Sequence, residues 1–173
     1  MKSEYIYKLL LLTLILSSSC ISTNKLIRNS STEVSEFKES KLNGIYSNVN
    51  KMFDGNNLWF ALTKHKESDN SNVKITLLKE QILNIKLIRQ DSILEEYNLY
   101  GKIKNQYFSI DRDLKLIPFY PIYYIHDEQK TILGNDKDGN LILVNGFKSE
   151  GAILFFGNGN HGIYEHKFEK IKN

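Results

Sequence analysis

Asp136, Asp138 and Asn140 stand at alternate positions in NDKDGN, the spacing at which oxygen ligands open a calcium loop. Such a loop needs Gly at its sixth position and a bidentate Glu at its twelfth. Leu141 and Phe147 stand there instead, so the stretch reads as an oxygen-rich hairpin turn. The four histidines are His65, His126, His161 and His166. None forms an H-x-x-x-H pair, and His161 and His166, five apart, would face opposite sides of one strand. Glu95 and Glu96 are adjacent and point apart on a strand. Asp111 and Asp113 share a parity around Arg112, just before LKLIPF, where a turn or strand end is expected. No G-x-S-x-G is present. GNGNHG at 157–162 is a literal G-x-G-x-x-G, but a dinucleotide site needs a helix next, on a parallel sheet. GIYEHKFEK alternates like a strand, so GNGNH is assigned to a hairpin turn. A cofactor and a metal are therefore not expected, and a non-catalytic role is favoured; a hydrolase, as a third reading, would need a convergent cluster of Asp, Glu and His in a cleft.

The elements that would have to position these residues are strands. Val73, Ile75 and Leu77 alternate with polar residues, as do Leu83, Ile85 and Leu87. Ile93, Glu95, Tyr97, Leu99, Gly101 and Ile103 share a parity along one long strand. NNLWFALT is read as a further strand, with Trp59 and Ala61 on one face. Turns are expected at 79–80, 90–92 and 135–140. Period-2 alternation with turns every 8–12 residues is the mark of an antiparallel meander. The expected fold is all-β, an antiparallel meander closed as a barrel, with a two-sheet sandwich as the alternative.

LIPFYPIYYIHD departs from this texture. It holds Phe119, Tyr120, Tyr123 and Tyr124 and both prolines of the chain, Pro118 and Pro121. Proline cannot donate to a ladder, so an edge, bulge or corner is expected. Half the rings would pack in the core. The functional alternative is an aromatic binding lip formed by these four residues, since Tyr joins apolar area to a polar tip.

Of 173 residues, 41% are hydrophobic and 25% charged, an ordinary globular balance. A net charge of +3, carried mainly by Lys, argues against a nucleic-acid partner. Residues 9–20 read LLLLTLILSSSC after Lys2 and Lys8. This apolar run is shorter than the roughly 20 residues of a spanning helix. Charge first, short apolar middle and small residues last form a secretory signal. Cys20, the sole cysteine, stands at its cleavage end. The layout resembles a bacterial lipoprotein signal peptide, with Ser17 standing where Leu or Val is usual. The resemblance implies a diacylglycerol thioether on Cys20 and a membrane partner through that lipid. It implies a place in the cell envelope, with the outer membrane favoured. The other reading is an ordinary cleaved signal.

The expected organisation is a signal peptide at 1–19, a lipidated cysteine and flexible tether at 20–40, and one β-rich domain at 41–173. A random-coil tether of that length spans roughly 25 Å. In LNGIY, Gly44 and Tyr46 resemble the Gly-x-aromatic start of lipocalin-like barrels. That resemblance implies a barrel binding a small apolar ligand. The alternative function is an accessory or immunity-type lipoprotein docking on another envelope protein.

Overall fold

The computed structural model describes residues 21–35, 38–49, 57–65, 70–79, 81–90, 92–104, 106–111, 113–119, 122–154 and 156–172. The signal segment, with Cys20, lies outside the described residues, as does Tyr120. Among the described residues three short helices occur: α1 (Thr23–Asn29), α2 (Glu39–Leu42) and α3 (Leu58–Thr63). The strands are β1 (Gly44–Ser47), β2 (Asn72–Lys79), β3 (Ile82–Arg89), β4 (Ser92–Lys104), β5 (Tyr107–Ile110) and β6 (Asp113–Phe119). β7 (Tyr123–Asn135), β8 (Leu141–Ile153), β9 (Phe156–Phe168) and β10 (Lys170–Lys172) complete them.

The chain is all-β, with every strand pair antiparallel. Its strand order is β10-β1-β2-β3-β4-β5-β7-β8-β9, with β6 also paired to β7. The expected meander is therefore present. A closed ladder is not: among the described residues the path ends at β9 on one side and β10 on the other.

Alternation along β7 and β8 sorts two cores. Leu133, Leu141 and Leu143 join an interior cluster with Tyr46, Trp59, Ile75, Ile85, Phe108 and Phe168. Ile132, Ile142 and Val144, one residue out of phase, point the other way and pack with Leu26, Val34 and Tyr107. This second core exists because α1 covers the outer face of the sheet. Residues 21–35 are thus not the flexible tether expected, and the domain does not begin at Lys41. The segment is a strap held at three points. The Ile21 N–H donates to Glu128 Oε2 at 3.1 Å. Ser30, Ser31 and Thr32 converge on the Glu165 carboxylate, with the Ser31 N–H at 2.7 Å. The Ser35 N–H donates to the Asn135 carbonyl at 2.9 Å. The strap's polar residues serve carboxylates of the sheet, while Leu26 and Val34 are buried.

Two further readings are corrected. LWFALT is helical, not extended: Leu58, Trp59 and Leu62 bury one helical face in the interior. Lys64, left-handed at φ 66°, closes α3 by donating to the Phe60 carbonyl. GNGNHG lies inside β9, and the turn falls earlier, at Leu154. Gly162 is required there by packing, because a Cβ would meet the Phe147 ring at 2.5 Å. The 135–140 hairpin is as expected, with Gly139 at φ 84°.

Candidate docking site

β7, β8 and β9 are each 13 residues long, and one half of each runs past the interior core. β5 pairs with the C-terminal part of β7, at Phe108↔Leu133 and Ser109↔Ile132. β6 takes the other part, from Asp113↔Gln129 to Phe119↔Tyr123. Among the described residues β6 has β7 as its one strand partner, and β9 has β8. The result is a four-stranded extension, β6-β7-β8-β9, ending in the turns at Ile122 and Leu154. The two turns are joined, since the Leu154 N–H donates to the Ile122 carbonyl at 2.9 Å.

Register places Phe119 opposite Tyr123, Tyr123 opposite Ile153 and Ile153 opposite Phe156. Directly opposed residues share a face. These four therefore form one transverse row of apolar side chains across the end of the extension. Phe119 is 62% exposed, Ile153 61% and Phe156 83%; Ile122 and Leu154, at 51% and 55%, continue the patch around the turns. Tyr123 is half-buried. Tyr124 faces the opposite side of the sheet, its ring edge-on to His126 at 6.4 Å. The expected lip is thus divided: Phe119 and Tyr123 on one face, Tyr124 on the other. Its partners Ile153, Leu154 and Phe156 come from a second hairpin that the sequence reading left out. The signal for them was the absence of any Asp, Glu, Lys or Arg in both 116–125 and 151–160.

Leu154 has φ 55°. A left-handed backbone costs a branched residue roughly 1–2 kcal/mol, where Gly or Asn pays less. An exposed leucine is thus kept in a turn that disfavours it, a pattern that attends working surfaces.

On the outer face, behind the patch, His126 and Glu128 are buried. His126 Nε2 lies 3.6 Å from Glu128 Oε2, and its Nδ1 lies 3.8 Å from Glu150 Oε2. Lys148 Nζ reaches Glu150 Oε1 at 3.0 Å. Glu128 also receives the Ile21 N–H, so this group holds the strap. An open cleft of about 500 Å³ beside it is lined by Ile21, Lys25, Gly146, Lys148, Glu150 and His161, among others.

Two further carboxylates, Glu96 and Asp136, have structural partners. Asn84 and Lys86 hold Glu96 below the ordinary carboxylate value, at 2.8 and 3.1 Å. Burial alone would raise Asp136, but Lys167 and Asn140 outweigh it and lower its pKa. Lys167 Nζ lies 2.6 Å from Asp136 Oδ2, and the Asn140 N–H donates to Oδ1 at 2.8 Å. Asp136 therefore closes the hairpin. No group of three His, Cys, Asp or Glu residues is placed to hold a metal among the described residues. Nor is any helix among them long and apolar enough to cross a membrane.

Comparison of the chain with protein-family models, with curated proteins and with solved structures finds no match.

Proposed function

We propose that this chain is a lipid-anchored protein of the bacterial cell envelope that works without catalysis, by docking through its projecting end. The observation that carries the reading is the exposed row Phe119–Tyr123–Ile153–Phe156. A contiguous exposed apolar patch of this kind marks an interaction site on a folded domain. The interior favours docking over small-ligand binding, because Tyr46, Trp59, Phe108 and Phe168 fill it and are fully buried. We also read the sheet as a barrel whose seam is the chain itself. β9 bonds β8 and passes through Glu169 alone into β10, which bonds β1. The Ser47 N–H donates to the Glu169 carbonyl at 2.9 Å across that junction.

The anchor rests on Cys20 at the end of the signal segment. It is tested by labelling cells with a radioactive fatty acid. Label in the wild type and none in Cys20→Ala is expected; an unlabelled wild type overturns the anchor. The docking surface is tested with a photo-crosslinking residue at position 156 in growing cells. It should capture an envelope lipid or protein, whereas one at exposed position 138, at the opposite end of β7, should not. Equal capture at both positions overturns the assignment.

A further inference from the structure

We propose that the projecting end sinks into the same bilayer that holds the lipid on Cys20, giving the domain two membrane contacts and a set orientation. This rests on the lipid-anchor reading above.

The first support is chain direction. The strap enters at Glu128 with Ile21 and leaves at Asn135 with Ser35, so it runs along β7 away from the extension. Ile21 therefore lies nearer the projecting end than Ser35 does. A lipid on the residue preceding Ile21 would then be carried at the same end as the apolar row.

The second support is distance. From Glu128 to the turn at Ile122 is six residues of strand, roughly 20 Å at the usual rise. Cys20 lies up to about 3.8 Å beyond Ile21. An end that sinks about 5–10 Å past the headgroups spans roughly a third to two-thirds of the remainder. Cysteine-linked glycerol at the surface and a shallowly buried tip are then compatible.

The third support is chemistry. Residues 116–125 and 151–160 carry no formal charge in a chain that is 25% charged. A protein-binding patch is ordinarily ringed by charged and polar partners. A bilayer rewards their absence, because no charged group has to be desolvated. Phe119, Ile122, Ile153, Leu154 and Phe156 sit at the extremity. Tyr123 carries its hydroxyl within that row and Tyr124 follows one step behind, at the depth where amphipathic rings meet headgroups. Leu154 keeps an apolar side chain exposed in a left-handed turn, where a polar Asn would fit the backbone better.

The test uses the full processed chain carrying Phe156→Trp. Trp59 is the sole native tryptophan and is fully buried, so it supplies a constant internal reference. Position 156 is the most exposed of the apolar end, so the fold should tolerate the ring. The protein is reconstituted on vesicles of phosphatidylethanolamine and phosphatidylglycerol, with or without brominated acyl chains. The expected result is that the variant's added emission shifts to the blue and is lost on brominated vesicles, while Trp59 emission is unchanged. Flotation separates the two readings. A wild type that fails to float refutes the anchor and the bilayer contact together. A protein that floats while its added tryptophan stays unquenched refutes the bilayer contact alone, and a specific protein crosslinked at 156 would then name the other class of occupant.

Discussion

Leu26→Ala tests whether residues 21–35 belong to the folded domain. Leu26 is fully buried and touches the sheet at Gly146, where an added Cβ would lie 2.5 Å from Leu26 Cδ2. Truncation removes three carbons, worth about 2.4 kcal/mol at 0.8 per buried CH₂, before any cavity term. Buried Leu→Ala changes span roughly 2–5 kcal/mol. For a domain of this size each kcal/mol moves the melting temperature by about 2–4 °C, so a fall of roughly 4–20 °C is expected. If the strap detaches first, the loss stops at the strap's own docking energy. Hydrogen exchange at Ser31, whose N–H rests on Glu165, would then accelerate before global unfolding. A second substitution sharpens the reading. Gly146→Ala alone should destabilise by about 1–3 kcal/mol through its clash with Leu26. In the Leu26→Ala background that clash is gone, and a coupling of about 0.5–3 kcal/mol should appear. A melting temperature unchanged within a degree, with additive effects in the double mutant, would refute the docked strap and restore a free tether.

Glu165→Gln should loosen the same strap, costing about 1–2 kcal/mol as charge-assisted bonds from Ser30, Ser31 and Thr32 weaken, read by denaturant titration. Burial pushes Glu165 upward, but those bonds prevail and lower its pKa from 4.5. Its contribution is therefore complete above the unfolded value and lost as pH falls through the folded one, so acid should free residues 30–32 to proteolysis in the wild type more than in Glu165→Gln. Burial raises Tyr46 to about 12, with the Asn135 bond opposing, so Tyr46 should ionise late in an ultraviolet titration, with Tyr107, also raised by burial, shifted in the same direction. Stability from that group is whole below pH 10 and lost as pH rises toward 12. Tyr46→Phe should abolish the late step and cost about 1–2 kcal/mol, because the hydroxyl donates to the Leu42 carbonyl and accepts from Asn135. Leu154→Asn should gain about 1 kcal/mol in thermal melting by easing its left-handed backbone, while weakening vesicle contact by the projecting end. No gain would deny the strain at that turn.

What the sequence determined by itself was local. Val73, Ile75, Leu83, Ile85 and Leu87 could be assigned to an inward face because side chains in a strand alternate. The hairpin at 135–140 was legible because Gly139 and its Asn and Asp neighbours suit a tight turn. The aromatic cluster around Phe119 stood out by composition. Tertiary structure decided the rest. Ile21, Leu26, Ile27 and Val34 are four apolar residues in a polar run, too few to show a period, and the burial of Leu26 and Val34 depends on Ile132, Ile142 and Val144, about a hundred positions away. Ser30, Ser31 and Thr32 look like linker residues until Glu165 arrives to accept their bonds. LWFALT has a strand's composition, yet Leu58, Trp59 and Leu62 fall on one helical face when the interior offers that face a place. The projecting patch is likewise a product of register: Phe119 meets Phe156 only through Tyr123 and Ile153, across four strands whose pairing no local stretch of sequence contains.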